Sequence, residues 1–349
     1  MTMRPSSAPQ RTAVVALLLC ALLAAACGGA ATNGPATNGP TAPTELTEIT
    51  FVTDFGFAGR HAYYFVADEA GYYEGAGLSV TFERGSGSAD AIRQVAAGQA
   101  DLGFADTGTL VLSRANDDVD VQLGAIVYQD LPWAIMVLEE SDIEEPTDLE
   151  GATLADVPGS SMIALFPLFA DAAGFDADAV TWSTADGGAL AGMLAAGAAD
   201  GIGMPTIGEA LVERAVEGRP LRVFPFADHG LDAYANGIIF SEQLAAENPD
   251  LIRAFIGATL RGMEDAFADP EEAGRIMNSR IPEVDAGVAA AETAAVANLA
   301  QHPLTDASGL GYIDRERMEA TVQLISGAFE LGREVTVDEM FVEGLTSGP

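Results

Sequence analysis

The sequence predicts an α/β chain of two lobes, each a mainly parallel sheet flanked by helices, joined by a two-strand hinge. Three observations predict this. The first is the stretch Gly85–Thr109, GSGSADAIRQVAAGQADLGFADTGT. It reads as a small-residue loop, a one-face helix, a glycine stop and a short apolar strand, ending in the polar pair Asp106 and Thr107. A parallel sheet presents its ligand at such strand ends. The second is a partial copy, ALAGMLAAGAADGIGMP, in which Gly98 matches Gly197 and Asp101 matches Asp200. The third is a pair of apolar segments, Leu131–Leu138 and Asn236–Phe240, placed to carry the chain from one lobe to the other and back.

Each element has a local reason. Glu48–Val52 alternates as a strand. A loop with two glycines, Asp54–His61, leads into a helix from Ala62 that stops at Gly71 or Gly75. Leu78–Phe82 is the second strand. Ser86 or Ser88 then caps a helix with Asp90 in its first turn, where the helix dipole favours an acid. Its apolar stripe is Ile92, Val95 and Ala96, and Gly98 stands where a C′ glycine belongs. The strand Leu102–Ala105, a helix over 107–115 and the strand Val121–Tyr128 complete the first lobe. The second lobe runs through Gly151–Asp156, a helix after Ser160, Val180–Trp182, a helix over Leu190–Ala196, and the strands Gly201–Met204 and Leu221–Phe226. Helices follow from Glu242, with Pro249 and Pro270 at first turns. The expected division is 47–132 plus 243–349 for lobe 1 and 133–242 for lobe 2.

Composition limits the partners. The chain has 349 residues and a net charge of -36, and all 16 of its basic residues are Arg. Nucleic acid is excluded as a partner, because its affinity rests on cationic contacts to phosphate. Strong acidity without Lys fits a protein kept soluble in concentrated salt, which screens self-repulsion. Both cysteines, Cys20 and Cys27, precede the body, so no disulfide or thiolate metal site is expected in it. The histidines show no metal-ligand spacing.

The N-terminus reads as an export signal over residues 1–26. Arg4 and Arg11 precede an apolar run from Ala13 to Ala26, too short to span a bilayer. Leu23-Ala24-Ala25-Ala26-Cys27 places small residues before a Cys, as in a bacterial lipoprotein box with Cys27 acylated. An ordinary signal peptide is the alternative. Residues 27–46, with ATNGP twice in succession, have the composition of a flexible tether.

From Phe51 to Val80 the chain reads FVTDFGFAGRHAYYFVADEAGYYEGAGLSV. This resembles the opening of periplasmic solute-binding proteins of the sulfonate, nitrate and thiamine-pyrimidine group. Asp54, Phe55, His61, Ala67, Gly71, Tyr72, Tyr73, Gly77 and Leu78 fall on that pattern without a gap. Val95–Gly103, Pro146–Gly151, Asn248–Phe255 and Asp269–Ala273 are similar to later motifs of the group. The resemblance implies a type II periplasmic-binding-protein fold and a receptor serving an ABC importer. After the Asp, pyrimidine-binding members usually read Trp-x-Pro-Asn. Phe55, Gly56, Phe57 and Ala58 stand there instead, which leaves a site able to stack a ring with fewer hydrogen-bonding groups.

The candidate ligand residues follow. His61, raised by its position in the group's pattern, donates to a ligand or merely caps a helix. Asp54 accepts from a ligand amine or caps the next helix. Phe55, Phe57, Tyr63, Trp133, Trp182 and Tyr234 are stacking walls or core. Ser86 and Ser88 offer a helix start for a sulfonate, phosphate or carboxylate, or simple capping. Asp106 and Thr107 lie at a strand end, and Ser160 and Asp186 are the second-lobe candidates.

The expected function is a lipid-anchored extracytoplasmic receptor that closes its lobes on a small organic solute. A thiamine-precursor pyrimidine or related heteroaromatic is favoured, with a sulfonate, taurine or nitrate as the alternative. The expected partners are the solute, an ABC permease and, through the anchor only, the membrane; the chain is expected to be a monomer without cofactor. Some proteins on this fold make a thiamine pyrimidine from pyridoxal phosphate held on a Lys, and a chain without Lys cannot form that Schiff base. The body has no nucleophilic Cys and no G-x-S-x-G turn. A sensor lobe for a membrane kinase is a third reading.

Overall fold

A computed structural model describes residues 46–158 and 160–346. The predicted signal peptide, Cys27 and the tether up to Glu45 lie outside the described residues.

Among the described residues, ten strands form two sheets. In chain order they are β1 (Thr47–Val52), β2 (Leu78–Glu83), β3 (Leu102–Asp106), β4 (Val121–Ile126), β5 (Trp133–Leu138), β6 (Thr153–Asp156), β7 (Thr181–Thr184), β8 (Gly201–Pro205), β9 (Leu221–Pro225) and β10 (Asn236–Ser241). The first sheet has the order β2-β1-β3-β10-β4 and the second β7-β6-β8-β5-β9. Within each, one strand runs antiparallel to its neighbours: β10 between β3 and β4, and β5 between β8 and β9. They coincide with the two apolar segments expected from sequence to carry the chain between lobes, but each lies within one sheet and the crossings precede them. The division at 242 assigns β10 to the second lobe, whereas its hydrogen bonds lie in the first sheet, so the return crossing precedes Asn236.

The sequence repeat is a repeated physical device. Asp101 donates its N–H to the Thr50 carbonyl at 2.9 Å and accepts the Thr50 N–H on Oδ2 at 2.8 Å. Asp200 does the same to Thr153, at 2.8 Å in both directions. Each Asp follows a helix ended by a glycine with positive φ, +65° at Gly98 and +67° at Gly197. Only glycine holds that conformation without strain. The match therefore marks the same strand-to-helix fastening in both lobes.

A layer of C-terminal helices covers the first sheet. The Pro249–Ala268 helix packs on the Ala62–Glu69 helix, and Phe255 stacks on Phe51 and Tyr73 at 5.1 and 5.2 Å. The Arg315–Ala328 helix ties down both crossings. Arg317, its side chain 9% exposed, donates to Asp130 at 2.6 Å on the outgoing segment and to Asp232 on the returning one. Its guanidinium also lies 5.0 Å from the Tyr234 ring centre. Tyr234 is fully buried, and its hydroxyl accepts the Asp314 N–H at 2.8 Å. The structure thus places Tyr234 as an anchor for the C-terminal helices rather than as a stacking wall.

Close helix packing depends on Gly262. A Cβ there would stand 2.5 Å from the Ala67 Cβ and 2.5 Å from the Tyr63 carbonyl oxygen, while one at Gly257 on the same helix would meet nothing within 4 Å. Gly262→Ala is therefore expected to destabilise the fold by about 1–3 kcal/mol. Gly257→Ala should be neutral or stabilising by up to about 1 kcal/mol. Urea unfolding of the two variants checks this, and equal effects would refute the packing account.

Candidate functional site

The strand ends of the first sheet gather a polar cluster around Asp54, two residues beyond β1. Its Oδ1 accepts from the Phe55 N–H at 2.7 Å, His61 Nε2 at 2.9 Å and Arg60 Nη2 at 3.1 Å. Its Oδ2 accepts from Asn236 Nδ2 at 3.0 Å, and its carbonyl accepts the Gly87 N–H at 2.6 Å. The loop after Asp54 is pressed against the Ala286–Ala300 helix, so a Cβ at Gly59 would lie 2.3 Å from the Ala289 Cα. From that helix Glu292 accepts the Arg60 N–H at 3.0 Å.

The charges in this cluster settle one another. Burial alone would raise the Asp54 pKa, but the Arg60 charge and the His61 hydrogen bond outweigh it and hold the carboxyl well below the usual carboxylate range. His61 is fully buried, and burial together with Arg60 lowers its pKa. Its Nδ1 accepts the Ala58 N–H at 3.3 Å, which leaves Nε2 carrying the proton toward Asp54. Both ring nitrogens are spent, so His61 orients Asp54 and has no donor left for a ligand. Burial likewise raises the Glu292 carboxyl, partly offset by Arg60.

Around this hub stand buried oxygens without partners. Asp106 ends β3; its Oδ1 caps the following helix through the Thr109 N–H at 2.7 Å, while its Oδ2 makes no hydrogen bond. Burial raises its pKa. Asn236 sits opposite Asp106 in register with a free Oδ1, and Gln129 Oε1 and the Tyr128 hydroxyl are also unpartnered. Strands of one sheet deliver Asp54, Asp106 and Asn236 to the same end.

The other first-lobe candidates divide. Phe55 is 49% exposed beside Gly87 and is available for stacking. Phe57 packs edge-on against Phe65 at 5.5 Å with Arg84 over its ring. Tyr63 is wholly inside the core, its ring 4.3 Å from that of Tyr64. The Thr107 hydroxyl is bound to the Ala235 carbonyl. Ser88 Oγ accepts the Asp106 N–H at 3.1 Å, and the Ser86 N–H is taken by Asp90 Oδ2 at 3.2 Å. The helix start expected to attract an external anion is thus occupied by the chain's own carboxylate.

In the second lobe, Ser160 caps the Ser161–Ala173 helix by accepting the Met162 N–H at 3.1 Å. Asp186 is exposed before the Gly187–Ala195 helix, and Trp182 packs edge-on to Phe166 at 5.1 Å. Trp133 opens β5, half-buried, with its indole N–H enclosed and unpartnered. Asp156, which ends β6, is 1% exposed. Its Oδ1 accepts the Val157 N–H at 2.6 Å and its Oδ2 has no partner. Burial pushes its pKa up to about 6, against the nearby Ser160 hydroxyl and the Val157 N–H. After β8 the Thr206–Gly208 turn and the Glu209–Ala215 helix pack on the Ala286–Ala300 helix, and Arg214 pairs with Asp285 at 2.9 Å. This end of the second sheet therefore faces the first lobe. Sequence reasoning missed Asn236, Gln129, Tyr128, Glu292 and Asp156; the strand-end rule that found Asp106 also fits Asp156, which ends β6, whereas Asn236 opens the antiparallel β10 and reaches the same end only through its pairing with β3.

Two expectations follow. Asp54 contributes stability above the ordinary carboxylate pKa that is lost as pH falls, because its folded pKa is depressed. Asp54→Asn should cost roughly 2–4 kcal/mol at pH 7 by leaving Arg60 uncompensated, and adding Arg60→Met should recover part of that. A urea-denaturation double-mutant cycle checks it; simple additivity would sink the pairing. Asp156 has the opposite sign: its pKa is raised, so the fold loses stability as pH climbs from about 4 to about 6. Asp156→Asn should be more stable than wild type at pH 7.5, by about 2 kcal/mol, and lose that advantage by pH 4. Urea midpoints across this range read it, and a less stable variant at pH 7.5 would contradict an unpartnered carboxylate.

Comparison with known proteins agrees with this architecture. The chain is 28% identical over 313 residues to the riboflavin-binding protein RibY of Chloroflexus aurantiacus, covering 88% of each chain. It is 27% identical over 220 residues to a formylaminopyrimidine-binding protein of Halalkalibacterium halodurans, covering 62% of this chain and 66% of that one. Among solved structures, the alkanesulfonate-binding protein SsuA from Xanthomonas axonopodis pv. citri bound to MOPS superposes with a TM-score of 0.66 at 15% identity, covering 85% of this chain and 98% of that one. This likeness shows the two-lobed periplasmic-binding-protein fold. The family model described as NMT1/THI5 like matches residues 58–273, more than half of the sequence, and the chain belongs to that family.

Proposed function

We propose that this chain is the extracytoplasmic solute receptor of an ABC importer, tethered through Cys27, and that its solute is a neutral heteroaromatic compound bearing N–H donors. One observation carries the choice of solute. The strand ends present buried oxygens that lack partners: Asp106 Oδ2, Asn236 Oδ1 and Gln129 Oε1 in the first lobe and Asp156 Oδ2 in the second. A buried acceptor left unpaired costs about 1–3 kcal/mol, so a ligand that donates to it gains that amount back. The sulfonate group and the nitrate ion carry only acceptors, so neither anion can pair with these oxygens. Arg60, the cation at this cluster, is already paired with Asp54. The names of the two sequence relatives, binders of riboflavin and of a formylaminopyrimidine, agree with this reading. Phe55, half-exposed, supplies a ring for stacking. Closure of the lobes then buries the ring between the two strand ends. The sulfonate alternative rests on the fold likeness to SsuA and on the Ser86–Ser88 helix start, which Asp90 already occupies.

Thermal-shift measurements on the purified protein decide between the two classes. At about 100-fold excess over Kd, riboflavin or the formylaminopyrimidine should raise Tm by roughly 5 °C or more. Taurine and alkanesulfonates should leave it unchanged. Stabilisation by sulfonates alone would overturn the choice of solute, and turnover of a bound compound would overturn the receptor role.

A further inference from the structure

We propose that Asp156, lying over the bare backbone of Gly203, is the second lobe's specificity-determining contact, its Oδ2 accepting a ring N–H of the solute when the lobes close. The inference rests on the heteroaromatic reading above and adds the atom in the second lobe that selects for it.

Four observations lead there. Asp156 is 1% exposed, yet one carboxyl oxygen has no hydrogen-bond partner. A structural capping role accounts for Oδ1, which holds the Val157 N–H, and leaves Oδ2 unexplained. Nothing among the described residues neutralises the group: its perturbation is burial, opposed by one hydroxyl and one N–H, with no cation involved. A group of His, Cys, Asp or Glu able to hold a metal ion is also absent among the described residues. An ion pair and a metal site are therefore not its purpose.

The second strand beside it is shaped for this carboxyl. A Cβ at Gly203 would sit 2.4 Å from Asp156 Oδ2, so any side chain there would displace the carboxyl. Gly203 pairs with Ile135 in β5, and Trp133 lies two residues nearer the strand end on the same face as Ile135. Trp133 holds an enclosed indole N–H without an acceptor. One end of the sheet thus holds an unpaired acceptor on β6 and an unpaired donor on β5, on either side of β8. That complements a planar ring carrying both N–H and C=O groups. The same end faces the first lobe across the Ala286–Ala300 helix, whose partners include the Thr206–Gly208 turn directly after β8.

The inference separates from a structural role through ligand chemistry. In Asp156→Asn the Val157 N–H keeps the amide oxygen at the Oδ1 position and puts the NH₂ where Oδ2 was, turning the acceptor into a donor. The test titrates riboflavin and 3-methylriboflavin, which lacks the ring N–H, against wild type, Asp156→Asn and Gly203→Ala by flavin fluorescence quenching. Wild type should bind riboflavin at least 10-fold more tightly than the methylated form. Both variants should bind riboflavin at least 10-fold more weakly than wild type, and with little discrimination between the two ligands. The formylaminopyrimidine is titrated in parallel, and the same loss is expected in both variants. If wild type binds the heteroaromatics and Asp156→Asn binds them within twofold, or keeps the full penalty for methylation, the contact is refuted while the proposed function stands. If wild type binds neither compound, the heteroaromatic reading falls and this contact with it.

Discussion

A single carboxylate, that of Asp54, holds together the loop and strand that make the candidate site in the first lobe. It receives a backbone N–H from Phe55, the side chains of Arg60 and His61 from the same loop, and Asn236 from the strand that returns from the second lobe. A buried guanidinium needs such a partner, because an uncompensated charge out of water costs several kcal/mol. Once Asp54 is ionised, Arg60 is neutralised, the His61 Nε2–H has its acceptor, and the Asn236 amide nitrogen is held on Oδ2, which leaves the Asn236 oxygen without a partner. The apolar architecture of the first sheet brings these groups to one end, and the electrostatics of this one residue orient them.

The division of labour between the two lobes follows from that arrangement. The first lobe spends its cation internally and shows acceptors; the second shows an acceptor at Asp156 and a donor at Trp133. Unsatisfied polar atoms are rare inside proteins, and six of those among the described residues lie at or just beyond the strand ends of the two sheets. Under the proposed function, the cost is carried by the empty protein and removed by the ligand. A receptor built this way holds its solute by restoring hydrogen bonds rather than by opposing charge.

Much of the fold was legible from residues. The helix-glycine-acid-strand unit around Gly98 and Asp101 was found by its copy at Gly197 and Asp200, and both copies make the same pair of backbone bonds. The strands β5 and β10 were legible as unbroken apolar runs; β5 lies in the second sheet as the division at 133 expected, whereas β10 belongs to the first, because it pairs with strands far earlier in the chain. The site was legible only in part. Asp54 and Asp106 stand at strand ends, which local pattern reveals. That His61 is consumed by Asp54 depends on the tautomer set by Ala58, and that Tyr234 anchors helices depends on Asp314, 80 residues away. Asn236 meets Asp54 across 182 residues of sequence. Whether a buried polar group is partnered is a property of such long-range contacts, so sequence pattern could name the residue types and not their roles.

The late arrival of the antiparallel β10 has a consequence for how the chain is made. All five strands of the second sheet lie within the continuous stretch from Trp133 to Pro225, whereas the first sheet needs β10, delivered from beyond it. During synthesis the N-terminal strands emerge first but cannot finish their sheet. An open slot persists between β3 and β4, with unsatisfied backbone edges on both sides, until β10 arrives. The second lobe, begun later, can be completed earlier. The first lobe is thus the last to close, and its strand edges are the part of the nascent molecule most open to wrong pairing.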